Sequence, residues 1–269
     1  RYGIAPRFVS LQELADPERV LGPATKLLWF ESPVNPTMRC VDVRRIAEAC
    51  RARGVVSVFD NTFASPINQQ PLSLGVDLAM QSATKYLNGH SDVTGGCVTG
   101  GSALVHPIEL TRRLLGTIMD PQAAYALGRG LKTLPLRIAR HNANAQAVAE
   151  FFGRDRRVGR VHYPGLPADP DHDMARRQMS GFRGMVTFDL DGQYDRAVHL
   201  FDRLKLIKRA ASLGGVESLA SLPVLTSHWG HTGEQLRAAG VTRGMVRISV
   251  GLEDVKDLIE DLDQALGDT

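Results

Sequence analysis

Long apolar runs, clustered cysteines and blocks of like charge are all missing from this sequence, and each absence removes a class of function. No apolar stretch approaches the roughly 20 residues needed to span a bilayer, so a membrane role is not expected. The three cysteines, Cys40, Cys50 and Cys97, are too few and too widely spaced for a disulfide framework, and none forms a CxxC metal pair. They suit a reducing cytoplasm. The net charge of +3 comes from arginines scattered along the chain rather than from a basic tract, so nothing in it announces nucleic acid. Internal repeats, low-complexity segments and long flexible linkers are absent too, and the elements are expected to pack against one another. The glycine pairs at 95–96, 100–101 and 214–215 do not make the G-x-G-x-x-G fingerprint of a dinucleotide-binding oxidoreductase. No signal-peptide pattern opens the chain; because it begins at Arg1, the natural N-terminus is expected to lie upstream.

What is present reads as a globular enzyme. A hydrophobic fraction of 43% and a charged fraction of 23% over 269 residues support a substantial core, in one large domain or two smaller ones. The first part alternates strand-like and helix-like segments, the pattern of an α/β domain on a largely parallel sheet. KLLWF at 26–30 predicts a buried strand ending in the Pro-broken loop ESPVNP. VDVRRIAEACRARG at 41–54 predicts a helix, since Val43, Ile46, Ala47 and Cys50 follow i, i+3, i+4, i+7 spacing and Gly54 stands at the C-cap. VVSVF at 55–59 is a strand that delivers Asp60 and Asn61 to its carboxyl end, and a short strand at 78–80 delivers the polar run QSATKYLNGHSD at 81–92. Ligands of open α/β sheets bind outside such carboxyl ends. From about 107 to 150 the chain is mainly helical, divided or kinked at Pro121 and Pro135. Strands at 184–190 and 245–250 and a helix at 253–266 then predict a second, smaller α/β unit.

Six segments, in this order and spacing, resemble the transsulfuration, or Cys/Met-metabolism, family of pyridoxal-phosphate (PLP) enzymes: ESPVNP at 31–36, DNTFASP at 60–66, QSATKYLNGHSD at 81–92, HYPG at 162–165, SLGGVESL at 212–219 and VRISVGLED at 246–254. The resemblance covers essentially the whole chain. It implies a fold-type I PLP-dependent transferase-like architecture: 1–125 as the C-terminal part of the cofactor-binding large domain, and 126–269 as a helical connection and small domain. It further implies a homotetramer of catalytic dimers. The family's ring-stacking aromatic, its phosphate loop and a Tyr/Arg pair reaching into the neighbouring subunit belong to a part that would precede Arg1.

The resemblance makes Lys85 the catalytic residue, the amine that holds PLP as a Schiff base and then serves as general base at the substrate Cα. Asp60, at a strand end, is suited to pair with the pyridine nitrogen and keep the ring an electron sink, although an Asp there also caps turns. Ser82 and Thr84, two residues apart in an extended segment, point to one side and suit the cofactor phosphate, or simply form a turn. The counterpart of Arg247 binds the substrate α-carboxylate, for which a guanidinium fork is well shaped. Asn35 and Ser212 match positions near that carboxylate or the cofactor; Asn before Pro and Ser before Gly-rich sequence also make ordinary turns. Glu217 stands where cystathionine-handling relatives carry a glutamate, which would meet a distal ammonium, or it caps or faces solvent. His90 and Asp92 lack further ligands at metal spacing and are read as structural. His228 and His231, flanking Trp229, form either a surface loop, the preferred reading, or the rim of a substrate pocket.

The activity this implies is γ-elimination from a sulfur amino acid, foremost the cystathionine γ-lyase reaction giving cysteine, 2-oxobutanoate and ammonia. Alternatives are γ-replacement on an O-acylated homoserine, as in cystathionine γ-synthase, methionine γ-elimination, and a non-catalytic structural subunit of the same family. The last would be marked by loss of Lys85, Asp60 or Arg247, and all three are present.

Overall fold

The computed structural model describes residues 3–267. Two sheets organise it. In the first, strands β1 (Leu27–Glu31), β2 (Val56–Asp60), β3 (Leu78–Ser82) and β4 (Gly96–Gly100) lie in that order. The first three run parallel and β4 returns antiparallel to β3. Phe30 and Phe59 meet edge to face with centroids 5.1 Å apart. Against them packs the helix Val43–Ala52, whose Val43, Ile46, Ala47 and Cys50 are all buried, as their spacing predicts. Asp42 caps its start by accepting from the Arg45 amide at 3.0 Å. Gly54, at φ +62°, lies just past its end. The antiparallel β4 is a difference from the expected parallel sheet. Only Cys97, Val98 and Thr99 separate its bounding glycines, so its sequence is too short to show a period.

Three helices follow, Ser102–Leu115, Pro121–Leu131 and Leu134–Arg154. Pro121 and Pro135 fall in the first turns of the last two, where a missing N–H costs nothing. They therefore start helices and do not kink one. Pro107, by contrast, sits inside the first of the three, so that helix begins earlier than the proline suggested.

The second sheet has the order β5 (Arg160–His162), β6 (Met185–Asp189), β9 (Met245–Ser249), β8 (Leu219–Ser221), β7 (Lys208–Arg209). All pairings are antiparallel except β7 with β8. One face is apolar: Val186, Phe188, Val246 and Ile248 pack on the long helix Leu134–Arg154 and on the terminal helix Val255–Leu266. Phe152 stacks on Phe188 at 4.1 Å. The buried Asp261 accepts from the amides of Lys205, Leu206 and Ile207 at 2.8–2.9 Å, tying the chain before β7 to that helix. Among the described residues, no helix is long and apolar enough to cross a membrane.

Candidate active site

Parallel strands end on one edge of a sheet, and here β1, β2 and β3 carry Glu31, Asp60 and Ser82 to that edge, Glu31 directly beside Asp60. Asp60 accepts from the Thr62 amide at 2.9 Å, and the Thr62 hydroxyl accepts from the Ser82 amide at 2.8 Å, so two strand ends are stitched together. The chain then makes one wide turn over Ala83–Leu87, closed by the Asn88 amide on the Ala83 carbonyl at 3.1 Å. Such wide turns gather at functional sites. Inside it Lys85 departs from helical dihedrals (φ −94°, ψ −130°).

The half-buried Lys85 donates from Nζ to the Ser212 hydroxyl at 2.9 Å. Partial burial lowers its pKa, and the positive charge of Arg247 lowers it further. Arg247 stands in the middle of β9, 5% exposed. Its Nη1 donates to Asn35 Oδ1 at 3.0 Å and its Nη2 to the Ala211 carbonyl at 2.8 Å. Burial pushes its pKa down, yet a guanidinium remains a cation. The Asn35 amide in turn donates to Glu31 at 3.0 Å. Glu31, Asn35, Arg247, the Ala211–Ser212 segment and Lys85 thus form one connected chain that joins both sheets.

The expected residues do not all behave alike. Lys85, Ser212, Arg247 and Asn35 come together directly, and Asp60 and Ser82 occupy the adjoining strand ends. The Thr84 hydroxyl is committed to Gly95, just before β4: it accepts from the Gly95 amide at 3.0 Å and donates to the Gly95 carbonyl at 3.3 Å. Among the described residues no protein hydrogen bond engages the Ser82 hydroxyl, so the two hydroxyls expected to act alike differ. Glu217 accepts from the Ser91 hydroxyl, at the far end of a loop that runs alongside Lys85–Ser91. That loop is held by the Val216 amide on the Gly89 carbonyl at 3.0 Å. It needs Gly214, at φ +76°, where an added Cβ would lie 2.7 Å from the Tyr86 amide nitrogen. His90 bonds the Asn88 carbonyl and Asp92 accepts from the Asn88 side chain, both inside the loop. His228, with Glu31 and Asn35, lines a groove of about 550 Å³.

Three residues escaped the sequence. Glu31 ends β1, and burial raises its pKa, with the Asp60 charge adding to the effect; its place at a strand end inside ESPVNP was the available signal. Arg137, 4% exposed, donates to the carbonyls of Tyr86 at 2.7 Å, Leu87 at 3.3 Å and Gly130 at 2.8 Å, and so secures the end of the Lys85 turn. On a helix its charge reads as solvated. Arg183, 1% exposed, adopts φ +67° and puts Nη2 3.8 Å from Met38 Sδ; its Nε and Nη1 have no hydrogen-bond partner.

The donor set fits PLP. An amine with a lowered pKa suits an aldehyde, and a strand-end carboxylate without an ion-pair partner among the described residues suits a pyridine N–H. The uncommitted Ser82 hydroxyl suits a phosphate.

The model of the Cys/Met metabolism PLP-dependent enzyme family matches residues 1–267. An L-methionine gamma-lyase of Pseudomonas putida is 44% identical over 267 residues, covering 98% of this chain and 67% of that protein. Human cystathionine gamma-lyase is 42% identical, covering 98% and 66%. Cystathionine gamma-synthase 1, chloroplastic, of Arabidopsis thaliana is 40% identical, covering 99% and 47%. The chain therefore spans about two thirds of the first two and about half of the third. Among solved structures, metB from Corynebacterium glutamicum superposes with a TM-score of 0.89 at 40% identity, covering 94% of this chain and 65% of that one. The strand-end chemistry and these likenesses agree: the chain belongs to the Cys/Met metabolism PLP-dependent enzyme family.

Proposed function

We propose that this chain carries the catalytic lysine and the substrate-orienting residues of a PLP-dependent enzyme that eliminates the γ-substituent of a sulfur amino acid, with L-cystathionine as substrate. The observation that carries the reading is the hydrogen-bonded chain from Lys85 through Ser212 and Arg247 to Asn35. When bound, PLP supplies an electron sink for the substrate Cα. Lys85 would hold the cofactor covalently and, when free, would take the Cα proton at Nζ; its lowered pKa favours the neutral amine that proton removal requires. Ser212 steers Nζ from one side. Arg247 and Asn35 grip the α-carboxylate and so fix which bond at Cα is aligned for cleavage. Asp60 would pair with the pyridine nitrogen and Ser82 would donate to the phosphate, while Thr84 braces the turn against Gly95. The active form is a homotetramer of catalytic dimers in a reducing cytoplasm, with 1–125 belonging to the cofactor domain and 126–269 to the helical connection and small domain.

A second reading is γ-replacement on an O-acylated homoserine. It is favoured by the synthase among the relatives; Glu217, which accepts from Ser91 and keeps further acceptor sites, serves either cystathionine reading. The test is the product spectrum of full-length, PLP-loaded enzyme with L-cystathionine alone, then with O-succinyl-homoserine plus cysteine. Cysteine and 2-oxobutanoate from the first mixture are expected. Silence there, with cystathionine accumulating in the second, replaces the lyase reading by the synthase one.

A further inference from the structure

The face of the second sheet that carries Arg247 is crossed by a buried polar row where a sheet interior is normally apolar. β5, β6, β9 and β8 lie side by side, and their register sets His162 opposite Thr187, Thr187 opposite Arg247, and Arg247 opposite Ser221. Directly opposed residues share a face, so one row of four polar side chains crosses four strands. All are buried: 6% exposed for His162, 0% for Thr187, 5% for Arg247 and 2% for Ser221. Each also holds a buried atom with no hydrogen-bond partner among the described residues: His162 Nε2, Thr187 Oγ1, Arg247 Nε and Ser221 Oγ.

Leaving a buried polar atom unsatisfied costs about 1–3 kcal/mol, so such atoms are few in folded proteins and normally isolated. None of the four bonds another directly. Their strands are neighbours, with opposed Cα atoms about 4.5–5.5 Å apart, so a link along the row runs through bridging water, which a buried polar site of this kind suits. The row's outer end, His162, lines the same groove as Asn35, which gives that water a route in.

We propose that Thr187 and Ser221 are positioning residues for Arg247. They hold its Nε through the row while Asn35 and Ala211 hold its Nη atoms, so the plane of the fork is fixed from both sides before a carboxylate arrives. This rests on the reading of Arg247 as the α-carboxylate group. Bidentate recognition depends on that plane, and a long side chain tethered only at its Nη end would keep much of its rotamer freedom.

The test uses two ligands that differ only in the carboxylate: L-norleucine, which lacks a leaving group, and n-pentylamine, its decarboxylated form. Both are titrated into PLP-loaded holoenzyme and followed by the visible absorbance of the bound cofactor. Thr187→Val and Ser221→Ala, singly and together, remove the hydroxyls with little change of shape, and Thr187→Ser restores one. The double variant is expected to weaken norleucine roughly tenfold and leave pentylamine within about twofold, with Thr187→Ser close to wild type. Equal losses for both ligands, or unchanged norleucine binding in the folded single variants, overturn the positioning role. Arg247→Lys, measured alongside, separates the two levels. If it weakens norleucine and the hydroxyl variants do not, the row is idle and the carboxylate reading stands. If it leaves norleucine untouched, the carboxylate reading falls and takes the row with it.

Discussion

The two sheets contribute to one site by different geometries. The first offers the ends of its strands: Glu31, Asp60, Ser82 and, one turn further, Lys85 lie on an edge where the backbone leaves the ladder. The second offers the middle of a strand, with Arg247 held on both sides by paired neighbours. Strand ends have backbone freedom to spend, and there the chain makes the wide turn that bends Lys85 towards Ser212. A mid-strand residue has none, so its side chain is aimed by register and by what lies opposite. On the proposed reading, the edge supplies the group that moves a proton, Lys85, and the interior supplies one that must stay in place, Arg247.

Lys85→Ala breaks the comparison most severely. The edge loses its one amine, and activity is expected to fall at least about 10³-fold, in line with removal of a general base that is also the covalent anchor. Added PLP is expected to give no visible absorbance of a lysine adduct, while Arg247 and the second sheet stay intact. A borohydride-reducible adduct persisting in this variant would move the assignment to another lysine.

Arg137→Met asks whether the edge turn is as self-supporting as the sheet interior. It removes the donor to three carbonyls, those of Tyr86, Leu87 and Gly130, in a buried setting. Loss of such charge-assisted bonds is expected to cost about 3 kcal/mol, read as a lowered midpoint in urea, together with weaker retention of PLP. A variant as stable as wild type would show that the Lys85 turn needs no support from the helix Leu134–Arg154.

What the sequence made readable follows the same division. The helix Val43–Ala52 could be read from its spacing, the three parallel strands as short apolar runs bounded by turn residues, and Asp60 and Lys85 because they lie in runs of polar residues at strand ends. The expectation of a buried KLLWF fails on one face, where Leu27 and Trp29 are 48% and 53% exposed, because an apolar run does not tell an edge strand from a central one. The glycine-bounded β4 has no period to read. The row His162, Thr187, Arg247, Ser221 depends on register between strands dozens of residues apart, which no local pattern records. Arg137 looks like any charge on a helix until the Lys85 turn is folded against it. Glu217 lay in a recognisable motif, but its bond to Ser91, 126 residues away in sequence, is likewise a contact that no local pattern records.

A smaller effect compares two buried histidines, His141 on the long helix and His162 at the end of β5. Burial lowers both from 6.5 to about 4. Between those values the unfolded chain binds protons that the folded chain does not, so their contribution to stability is complete above about pH 6.5 and is lost as pH falls towards 4. His141 bonds the Val250 carbonyl through Nδ1 at 2.7 Å and supports the strand exit of β9. His162→Gln is the cleaner probe. Urea unfolding at a series of pH values is expected to show a shallower loss between pH 6.5 and 4 than wild type, and an unchanged slope would show that His162 is charged already.

The smallest expected effect concerns Arg183, which belongs to neither geometry. It precedes β6 at φ +67°, a region that disfavours any side chain, and buries a guanidinium whose Nε and Nη1 find no partner. Its charge lies close enough to Glu31 to oppose the rise in that carboxyl's pKa. Glycine relieves the backbone by about 1 kcal/mol and removes the desolvated cation. Against this stands the space vacated beside Met38, whose cost grows with the cavity that fails to collapse. The balance is expected to favour Arg183→Gly by about 1 kcal/mol, read in urea unfolding. A loss of several kcal/mol instead would mean that the space vacated by this large buried side chain does not collapse and that its packing outweighs the strain and the desolvated charge.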